Sequence, residues 1–414
     1  MTGLPSDAPQ PATPLTRDLN AAVVVPPDDQ DPESALAAQG LISPLPPDFA
    51  VDRAGGPGPA WSLAPYTFLT GASPDTVNPS LWRNALLNMK TGLFEVVPDA
   101  VYQVRGMDLS NISFLEDPTG VSPKVVVVDP LISEECAAAA WKLYRENRKL
   151  RDQERTICAV IFTHSHIDHY GGVLGLFEDG QVPTGVEIIA PEGFLEHSVS
   201  ENVYAGNAML RRAMFMYGTL LERSEKGQVD AGLGKTMSAG ATGLLPPTCT
   251  VTPEVAQPGH VVAFGPVNLE FQLTPGTEAP GGAEFLSARR PGAVHGGERH
   301  PDPAQPLQPA RRPGEGRKGV VAVSEPVGGV VRGPVEDAVR LAFLAPVEHR
   351  GVAGRDRVVP DQPGGPVPVP ARSGAAAGEP GPDDDRDRRG PRRQCSGESD
   401  GAVVQPGLLR HGQP

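Results

Sequence analysis

The sequence predicts an α/β layered fold, in which helices cover a largely buried sheet. Two observations predict it. Between residues 78 and 280, short β-rich runs alternate with helical segments, and some of these runs are continuously apolar, as strands buried on both faces are. Strand, helix and strand in alternation favour helices layered on a sheet.

The first 75 residues are rich in Pro, Asp and Ala with little periodicity, so we predict an extended N-terminal arm over residues 1–75. From Asn78 the pattern changes. PSLWRNALLNMK has apolar residues at helical spacing, and TGLFEVV, AVYQVRG and ISFLED are short β-rich runs separated by turn residues. KVVVVDP, at residues 124–130, then predicts a strand that is buried on both faces.

A helix is predicted directly after this strand. Ser133 can cap it, Glu134 and Glu135 suit its N-terminal dipole, and AAAAWKLYRENRKL contains strong helix formers. TICAVIFTH and VEIIAP predict two further buried strands on either side of a loop. The alternation of elements is the basis of the layered prediction.

The last elements of the predicted domain, residues 76–280, are a helical region and a hairpin. Residues 194–223 have apolar side chains at helical spacing, which we interpret as a core-facing stripe: Val203, Met209, Met214 and Leu220. VVAFGPVNLEFQLTPG alternates as a β-hairpin does. The Gly-rich segment between them lacks the spacing of a phosphate-binding loop.

The segment THSHIDHYGG, at residues 163–172, contains four potential metal ligands within six residues. They are His164, His166, Asp168 and His169, directly after a buried strand, where one loop can turn all four inward. Imidazole nitrogens and a carboxylate suit zinc, and four such ligands can serve two ions. A lone histidine would be interpreted as a surface or core residue, but this cluster favours a metal centre.

The HxHxDH pattern resembles the signature of the metallo-β-lactamase fold. The resemblance implies an αββα sandwich, which the sequence contains incompletely, and it implies two zinc ions. In that family the first two histidines bind one zinc, and the Asp and last histidine bind the other. By position, His164 and His166 are expected at the first ion, and Asp168 and His169 at the second, with Asp168 in a catalytic role.

Residues 78–280 resemble more narrowly the alkyl sulfatases, the dodecyl-sulfate hydrolases of bacteria. The similar segments include NPSLWRNALLNMKTGLFEVV, THSHIDHYGGVLG, IIAPEGFLEHSVSENVYAGNAMLRRAM, GQVDAGLGKT and LTPGTEAP. The resemblance implies that Glu278, in TPGTEAP, is a third ligand of the first zinc. It also implies that four residues line a sulfate-ester pocket, for which cationic and amide groups are suited: Asn207, Arg212, Gln228 and Lys235.

The activity implied by this resemblance is zinc-dependent hydrolysis of an alkyl sulfate ester to an alcohol and sulfate. Asp129, at the end of its strand, either orients a ligating histidine or caps the following turn. Two other functions stay open: a thioesterase- or lactonase-type hydrolase with the same HxHxDH site, or an inactive product that binds metal weakly. The resemblance implies a dimer, but residues 281–414 contain no counterpart of the family's dimerisation domain.

The C-terminal third has an unusual composition. Residues 281–414 contain no Ile, Met, Asn, Thr, Tyr or Trp, while Gly, Pro and Arg number 23, 19 and 18, a composition that cannot form an ordinary core. The absent residue types have A/T-rich codons. We therefore predict a disordered tail that results from a GC-rich gene translated out of frame, with the shift at residues 280–285.

Back-translation supports this frameshift hypothesis. Displaced by one base, VVAVSEP can be read as WSRYLS, HGGERHPDPAQPLQP as MAESATRTLHNLYN and FLAPVEHRG as SSHQWNTA. All three strings are similar to segments of the family, and they occur in the family's order. The second and third correspond to segments expected to supply a bridging Glu and a further His, so the written tail lacks these ligands.

Charge and apolar runs exclude other classes. Residues 1–280 contain 17 Lys and Arg against 33 Asp and Glu, which argues against a nucleic-acid surface. No apolar run is long enough to span a membrane, and the N-terminus lacks the basic and apolar regions of a signal peptide. With four cysteines and no CxxC pair, we expect a cytoplasmic protein that acts on a small molecule.

Overall fold

The computed structural model describes residues 9–277, 279–287 and 393–394. They all belong to one of the two compact units into which the chain divides, and the other unit, Pro346–Arg392, lies outside them. Most of the predicted out-of-frame tail therefore also lies outside the described residues, and both its disorder and the frameshift stay predictions. No helix in the described part is long and apolar enough to cross a membrane.

The described residues contain six α-helices and fourteen strands. The helices are α1 (Pro14–Ala21), α2 (Pro32–Ala38), α3 (Pro79–Leu87), α4 (Glu134–Asn147), α5 (Phe194–Val199) and α6 (Gly206–Tyr217). The strands are β1 (Leu41–Pro44), β2 (Ala50–Val51), β3 (Trp61–Ser62), β4 (Gly92–Val97), β5 (Val101–Arg105), β6 (Ile112–Glu116), β7 (Lys124–Val128), β8 (Thr156–Ile161), β9 (Glu187–Pro191), β10 (Cys249–Val251), β11 (Val261–Phe264), β12 (Val267–Leu273), β13 (Ala283–Ser287) and β14 (Arg393–Gln394).

A nine-stranded sheet forms the centre of the fold, with strand order β1-β4-β5-β6-β7-β8-β9-β10-β14. Strands from β1 to β7 pair antiparallel, whereas β7, β8, β9 and β10 run parallel. Helix α4 connects β7 to β8, as a parallel crossover requires. A smaller antiparallel sheet consists of β11, β12 and β13, so the predicted hairpin is confirmed.

The alternation of side chains along β7 shows why this strand is a continuous run of valines. Val125 and Val127 belong to a core cluster that includes residues of α4. Val126 and Val128 belong to a second cluster, which includes Phe271 and other residues of the small sheet. Successive side chains of a strand point to opposite faces, so both faces of the large sheet are covered, and the predicted layered fold is confirmed.

Aromatic stacking holds α4 against the large sheet. The ring of Phe114, on β6, lies 4.1 Å from that of Tyr144 and 5.8 Å from that of Trp141, both on α4. The helix begins as predicted, because Ser133 Oγ accepts a hydrogen bond from the amide of Cys136. This packing fixes the segment between β7 and α4, which lies beside the predicted metal loop.

The N-terminal arm contributes to the large sheet through β1, which pairs with β4. Arg83, on α3, donates hydrogen bonds to the carboxylates of Asp31 and Glu33 at the start of α2. The arm therefore contacts the body through backbone pairing and an ion pair, while the boundary placed at residue 75 stays a prediction.

Helix α6 corrects one sequence prediction. The segment is helical as expected, and a π-helical turn, Ser200–Tyr204, precedes it. However, none of the residues of α6 is buried, and Val203 and Leu220, which flank it, are 68% and 80% exposed. The expected core-facing stripe is therefore wrong: apolar spacing predicted the helix, but Met214 is only half-buried and the other three residues of the stripe are exposed.

Candidate metal centre

The four predicted ligands lie on the loop that leaves the carboxyl end of β8. His164 directly follows Thr163, and Ile167–His169 forms one turn of 3-10 helix. His164 and His169 are buried, with 5% and 4% of their surface exposed. This end of the parallel strands is where open α/β sheets place their functional groups, and the structure brings all four side chains together there.

The ligand atoms form two pairs. His164 Nε2 lies 3.1 Å from His166 Nδ1, and His169 Nε2 lies 3.3 Å from Asp168 Oδ2. The rings of His164 and His169 are 4.1 Å apart between centroids, so the two pairs are adjacent. The four side chains therefore form one cluster, in which these two contacts join the residues that the family resemblance assigns to the same ion, and that assignment stays a prediction.

Each pair has a spacing that suits zinc. Zinc–nitrogen bonds of about 2.0–2.1 Å at tetrahedral angles put two ligand atoms about 3.4 Å apart. The observed separations of 3.1 and 3.3 Å are close to that value. Among the residues that the structure describes, no group of three His, Cys, Asp or Glu side chains could hold an ion. The described donors therefore fit half of each ion's ligand set.

Asp129 is hydrogen-bonded to His169 directly and to His164 through Thr163. Its carboxylate accepts hydrogen bonds from the amide and hydroxyl of Thr163, at 2.9 and 2.8 Å, and lies 2.8 Å from His169 Nδ1. The Thr163 hydroxyl, which donates to Asp129, can accept from His164 Nδ1 at 2.9 Å. Protons are thereby held on Nδ1 of His164 and His169, which leaves both Nε2 atoms as electron-pair donors.

The backbone of Asp129 is unusual, with φ of 52°, in the left-handed region that few residues other than glycine adopt. This conformation turns the carboxylate toward the loop. Of the two roles left open from the sequence, the hydrogen bonds support the orientation of a ligating histidine. The sequence carried a signal for the second participant as well, since Thr163 immediately precedes the first histidine.

The electrostatics of the loop favour neutral imidazole at His164. Burial, together with the neighbouring His169 and His166, lowers the pKa of His164 to about 2. For Asp168, burial alone would raise the pKa, but the adjacent imidazoles, with His169 first, outweigh it and lower the pKa. Burial opposes the charge of His169, yet Asp168 and Asp129 raise its pKa well above the usual value. Metal binding at this pair would therefore release the proton that the two carboxylates favour on His169.

Glu278, the predicted third ligand, lies outside the described residues. The segment that follows it lies against the site, since Gly282 forms a β-bridge with His164 and the amide of Ala283 donates to the carbonyl of Thr163. Ala279 is buried. The chain on the C-terminal side of Glu278 thus pairs with the backbone of the first histidine, and the ligand role of Glu278 stays a prediction.

The four predicted substrate residues fall into two kinds of environment. Asn207 and Arg212 are exposed on α6. Gln228 and Lys235 are buried and contact each other, since Gln228 Nε2 donates to the carbonyl of Lys235 at 2.7 Å. The Lys235 ammonium donates to the carbonyl of Ala85 and to Asp230. Their role in substrate binding stays a prediction.

Comparison with known proteins agrees with this geometry. Residues 106–265 match the family model described as the metallo-beta-lactamase superfamily. These residues therefore form a metallo-beta-lactamase domain. The chain is 44% identical over 281 residues to a linear primary-alkylsulfatase of a Pseudomonas species, which covers 67% of this chain and 39% of that protein. It is also 42% identical over 274 residues to the alkyl/aryl-sulfatase BDS1 of Saccharomyces cerevisiae, covering 66% of this chain and 40% of that one.

A solved structure shows the same relationship in three dimensions. The stereoselective inverting sec-alkylsulfatase Pisa1 from a Pseudomonas species superimposes with a TM-score of 0.60 at 39% sequence identity, covering 68% of this chain and 42% of that chain. The metallo-beta-lactamase fold is thereby confirmed, and the chain's relatives in the superfamily are alkylsulfatases. The chain spans about two fifths of the length of these relatives.

Proposed function

We propose that this domain hydrolyses alkyl sulfate esters to an alcohol and sulfate at a binuclear zinc centre. His164 and His166 would hold one ion, and Asp168 and His169 the other. The observation that carries the proposal is the arrangement of these donors in two adjacent pairs, with separations of 3.1 and 3.3 Å. The relatives named as alkylsulfatases supply the substrate class.

The residues of the chain prepare the site for these ions. When bound, zinc would lower the pKa of a water molecule and neutralise the charge of the sulfate group. Asp129 and Thr163 keep protons on the Nδ1 atoms of His169 and His164, so the opposite nitrogens stay available. Asp168, the expected catalytic carboxylate, stays ionised beside His169. Glu278 would complete the first ligand set.

The substrate side of the proposal divides the four predicted residues by exposure. Arg212 and Asn207, exposed on α6, would contact the sulfate or its alkyl chain. Gln228 and Lys235 are held in internal hydrogen bonds, so they would build the wall of the pocket. Lys235 also balances the buried charge of Asp230, and its removal would leave that carboxylate without its cation.

We further propose that the 414-residue chain has weak activity or none. The second ion would have two ligands on the loop, Asp168 and His169. The family's other ligands lie in segments whose counterparts are obtained here only when the tail is translated with a one-base shift. Activity would return if the displaced reading were restored.

The test compares the 414-residue chain with a version translated in the displaced frame after residue 280. Zinc content and sulfate release from dodecyl sulfate are measured for both, with His166→Ala in each as the control. We expect sulfate release from the restored chain only, and its loss in the His166→Ala variant. Two zinc ions per chain together with dodecyl-sulfate turnover in the 414-residue protein would contradict the proposed impairment.

The same preparation separates the alternative functions. Hydrolysis of thioesters or lactones by the restored chain, with no release of sulfate, would favour the thioesterase or lactonase type, which shares the superfamily match. A 414-residue chain that binds no zinc and melts without a cooperative transition would be the inactive product. Genomic sequencing across codons 278–290 tests the frameshift itself, because an intact reading frame with tail peptides in the proteome would exclude it.

A further inference from the structure

The turn between β5 and β6, residues 106–111, is buried although it joins two antiparallel strands. Met107, Asp108, Leu109 and Ser110 are at most 4% exposed. Connecting turns usually lie at the surface, because water satisfies their polar groups there. A buried turn must find its hydrogen-bond partners inside the protein, and the partners of this turn are segments of the metal centre.

Ser110 contacts the metal loop at one peptide group. Its hydroxyl donates a hydrogen bond of 2.5 Å to the main-chain carbonyl of Asp168. The amides of Tyr170 and Gly171 both donate to the carbonyl of Ile167, at 3.3 and 2.8 Å. The carbonyl of Asp168 is therefore directed away from its own turn and toward Ser110.

The contact between Ser110 and this peptide group affects the second donor pair. The carbonyl of Asp168 belongs to the peptide that joins Asp168 to His169, and these two residues form the second donor pair. The torsions on either side of this peptide set the directions in which the Asp168 carboxylate and the His169 imidazole leave the backbone, and the two groups lie 3.3 Å apart. The Ser110 hydroxyl fixes the orientation of this peptide, because a change in it would leave a buried carbonyl without its donor.

Asp108 holds the turn and the segment on the other side of the loop. One carboxylate oxygen accepts from the amides of Leu109 and Ser238, at 2.8 and 2.9 Å, and the other accepts from the Ser238 hydroxyl and the amide of Ile132, at 2.6 and 3.1 Å. Ile132 follows two residues with left-handed backbone, Asp129 and Leu131, with φ of 52° and 64°. Such conformations persist where the surroundings fix them.

We propose that Ser110 and Asp108 are positioning residues for the second metal pair. Ser110 sets the peptide that joins Asp168 to His169, and Asp108 anchors the segment that presents Asp129 to His169. Neither residue contacts the space between the donors, so each acts through the ligands. The inference rests on the metal centre of the proposed function, and it concerns the affinity of the second ion rather than turnover.

The test is a titration of the metal-free restored chain, translated in the displaced frame after residue 280, with Co²⁺, monitored by calorimetry and by visible absorbance. In Ser110→Ala we expect the affinity for the second ion to fall about 10- to 100-fold, the usual effect of removing a group that orients a ligand, with the first ion unaffected. Ser113→Ala is the matched control. Ser113 is equally buried, on β6, and its hydroxyl accepts from Gln103 Nε2 at 3.2 Å; the variant should bind both ions like the parent.

A second variant extends the test to the other residue. Asp108→Asn preserves the size of the side chain but replaces one accepting oxygen by a donor, so we expect a loss in second-ion affinity. If this variant fails to fold in a thermal melt, Ser110→Ala decides alone. Unchanged second-ion affinity in Ser110→Ala, an equal loss in Ser113→Ala, or a parent chain that takes up no second cobalt would each overturn the proposal.

Metal binding and turnover separate this inference from the proposed function. A restored chain that binds two cobalt ions without releasing sulfate overturns the function and leaves the positioning role intact. Sulfate release by the restored chain, together with unchanged affinity of Ser110→Ala for the second cobalt ion, supports the proposed function and overturns the positioning role. The two failures are therefore distinguishable in the same protein preparations.

Discussion

The metal loop and helix α6 are both well predicted as local structure, yet only the metal loop is enclosed by the rest of the chain. His164 and His169 are buried. Asp129 is hydrogen-bonded to Thr163 and His169, and Ser110 is hydrogen-bonded to the carbonyl of Asp168. No residue of α6 is buried. Local pattern determines the conformation of a segment, whereas its burial depends on partners elsewhere in the chain.

The partners of the metal loop lie close to it in the fold. Ser110 is in the turn between β5 and β6, and Asp129 directly follows β7, both within the matched region of residues 106–265. Within the described residues, α6 exposes large side chains such as Phe215, at 91%, and Met216. The loop and the helix therefore differ in how far the described residues enclose them.

The largest predicted effect compares one substitution in the two kinds of environment. Phe114→Ala removes a buried ring that stacks on Tyr144 and Trp141, and we expect a loss of about 3–5 kcal/mol in the free energy of unfolding. Phe215→Ala, on α6, should change it by less than about 0.5 kcal/mol. Urea denaturation of both variants measures this. A comparable loss in both would show that α6 is packed in solution.

A pair of glycines tests the close packing of the metal loop. A Cβ at Gly172 would lie 2.2 Å from the carbonyl oxygen of Pro130 and 2.6 Å from that of Ser133, whereas one at Gly206, in α6, would meet nothing within 4 Å. Gly172→Ala should therefore cost about 1–3 kcal/mol. Gly206→Ala should be neutral or stabilise by up to about 1 kcal/mol, from helix propensity. Equal melting temperatures for the two variants would contradict this description of the loop.

The hydrogen bonds behind the loop predict a smaller, functional effect. Asp129→Asn preserves side-chain size but presents an amide to Thr163 and His169, which now donate to or contact the carboxylate. We expect zinc affinity to fall about tenfold or more. Asp99→Asn is the control, because Asp99 has a similar positive φ of 57° but lies exposed in a turn away from the loop. Competition with a chromogenic chelator measures both, and equal affinities would exclude an orienting role.

The sequence predicted the elements that carry strong local signals. The valine run of β7, the Ser133 cap of α4 and the HxHxDH loop were all confirmed as structure, because period, capping and ligand spacing are local properties. The burial of α6 was predicted wrongly, since apolar spacing does not show whether a covering partner exists. Ser110 and Asp108 were missed because their contacts are tertiary: Ser110 meets the loop 58 residues away, and Asp108 meets Ile132, in the segment before α4, 24 residues away.

The smallest predicted effect concerns the arm, whose contact with the body is intermediate between the two regions. The Arg83 guanidinium, through its hydrogen bonds, lowers the pKa of Asp31 below its ordinary value of 3.8. Because the folded-state pKa is lowered, the ionised carboxylate stabilises the protein above about pH 4, and this contribution is lost as the pH falls through the folded value. Arg83 is 20% exposed, so the contribution is about 1 kcal/mol or less.

Asp31→Asn isolates this contribution, because asparagine still caps α2 at the position where Asp31 accepts from the amide of Glu33. The variant should lose about 1 kcal/mol or less at neutral pH, and the difference from the parent should disappear as the pH falls through the folded pKa of Asp31. Asp75→Asn is the control, since Asp75 pairs with Arg17 at 3.7 Å with both side chains about half exposed. A constant difference at all pH values would show that Asp31 acts through packing rather than through its charge.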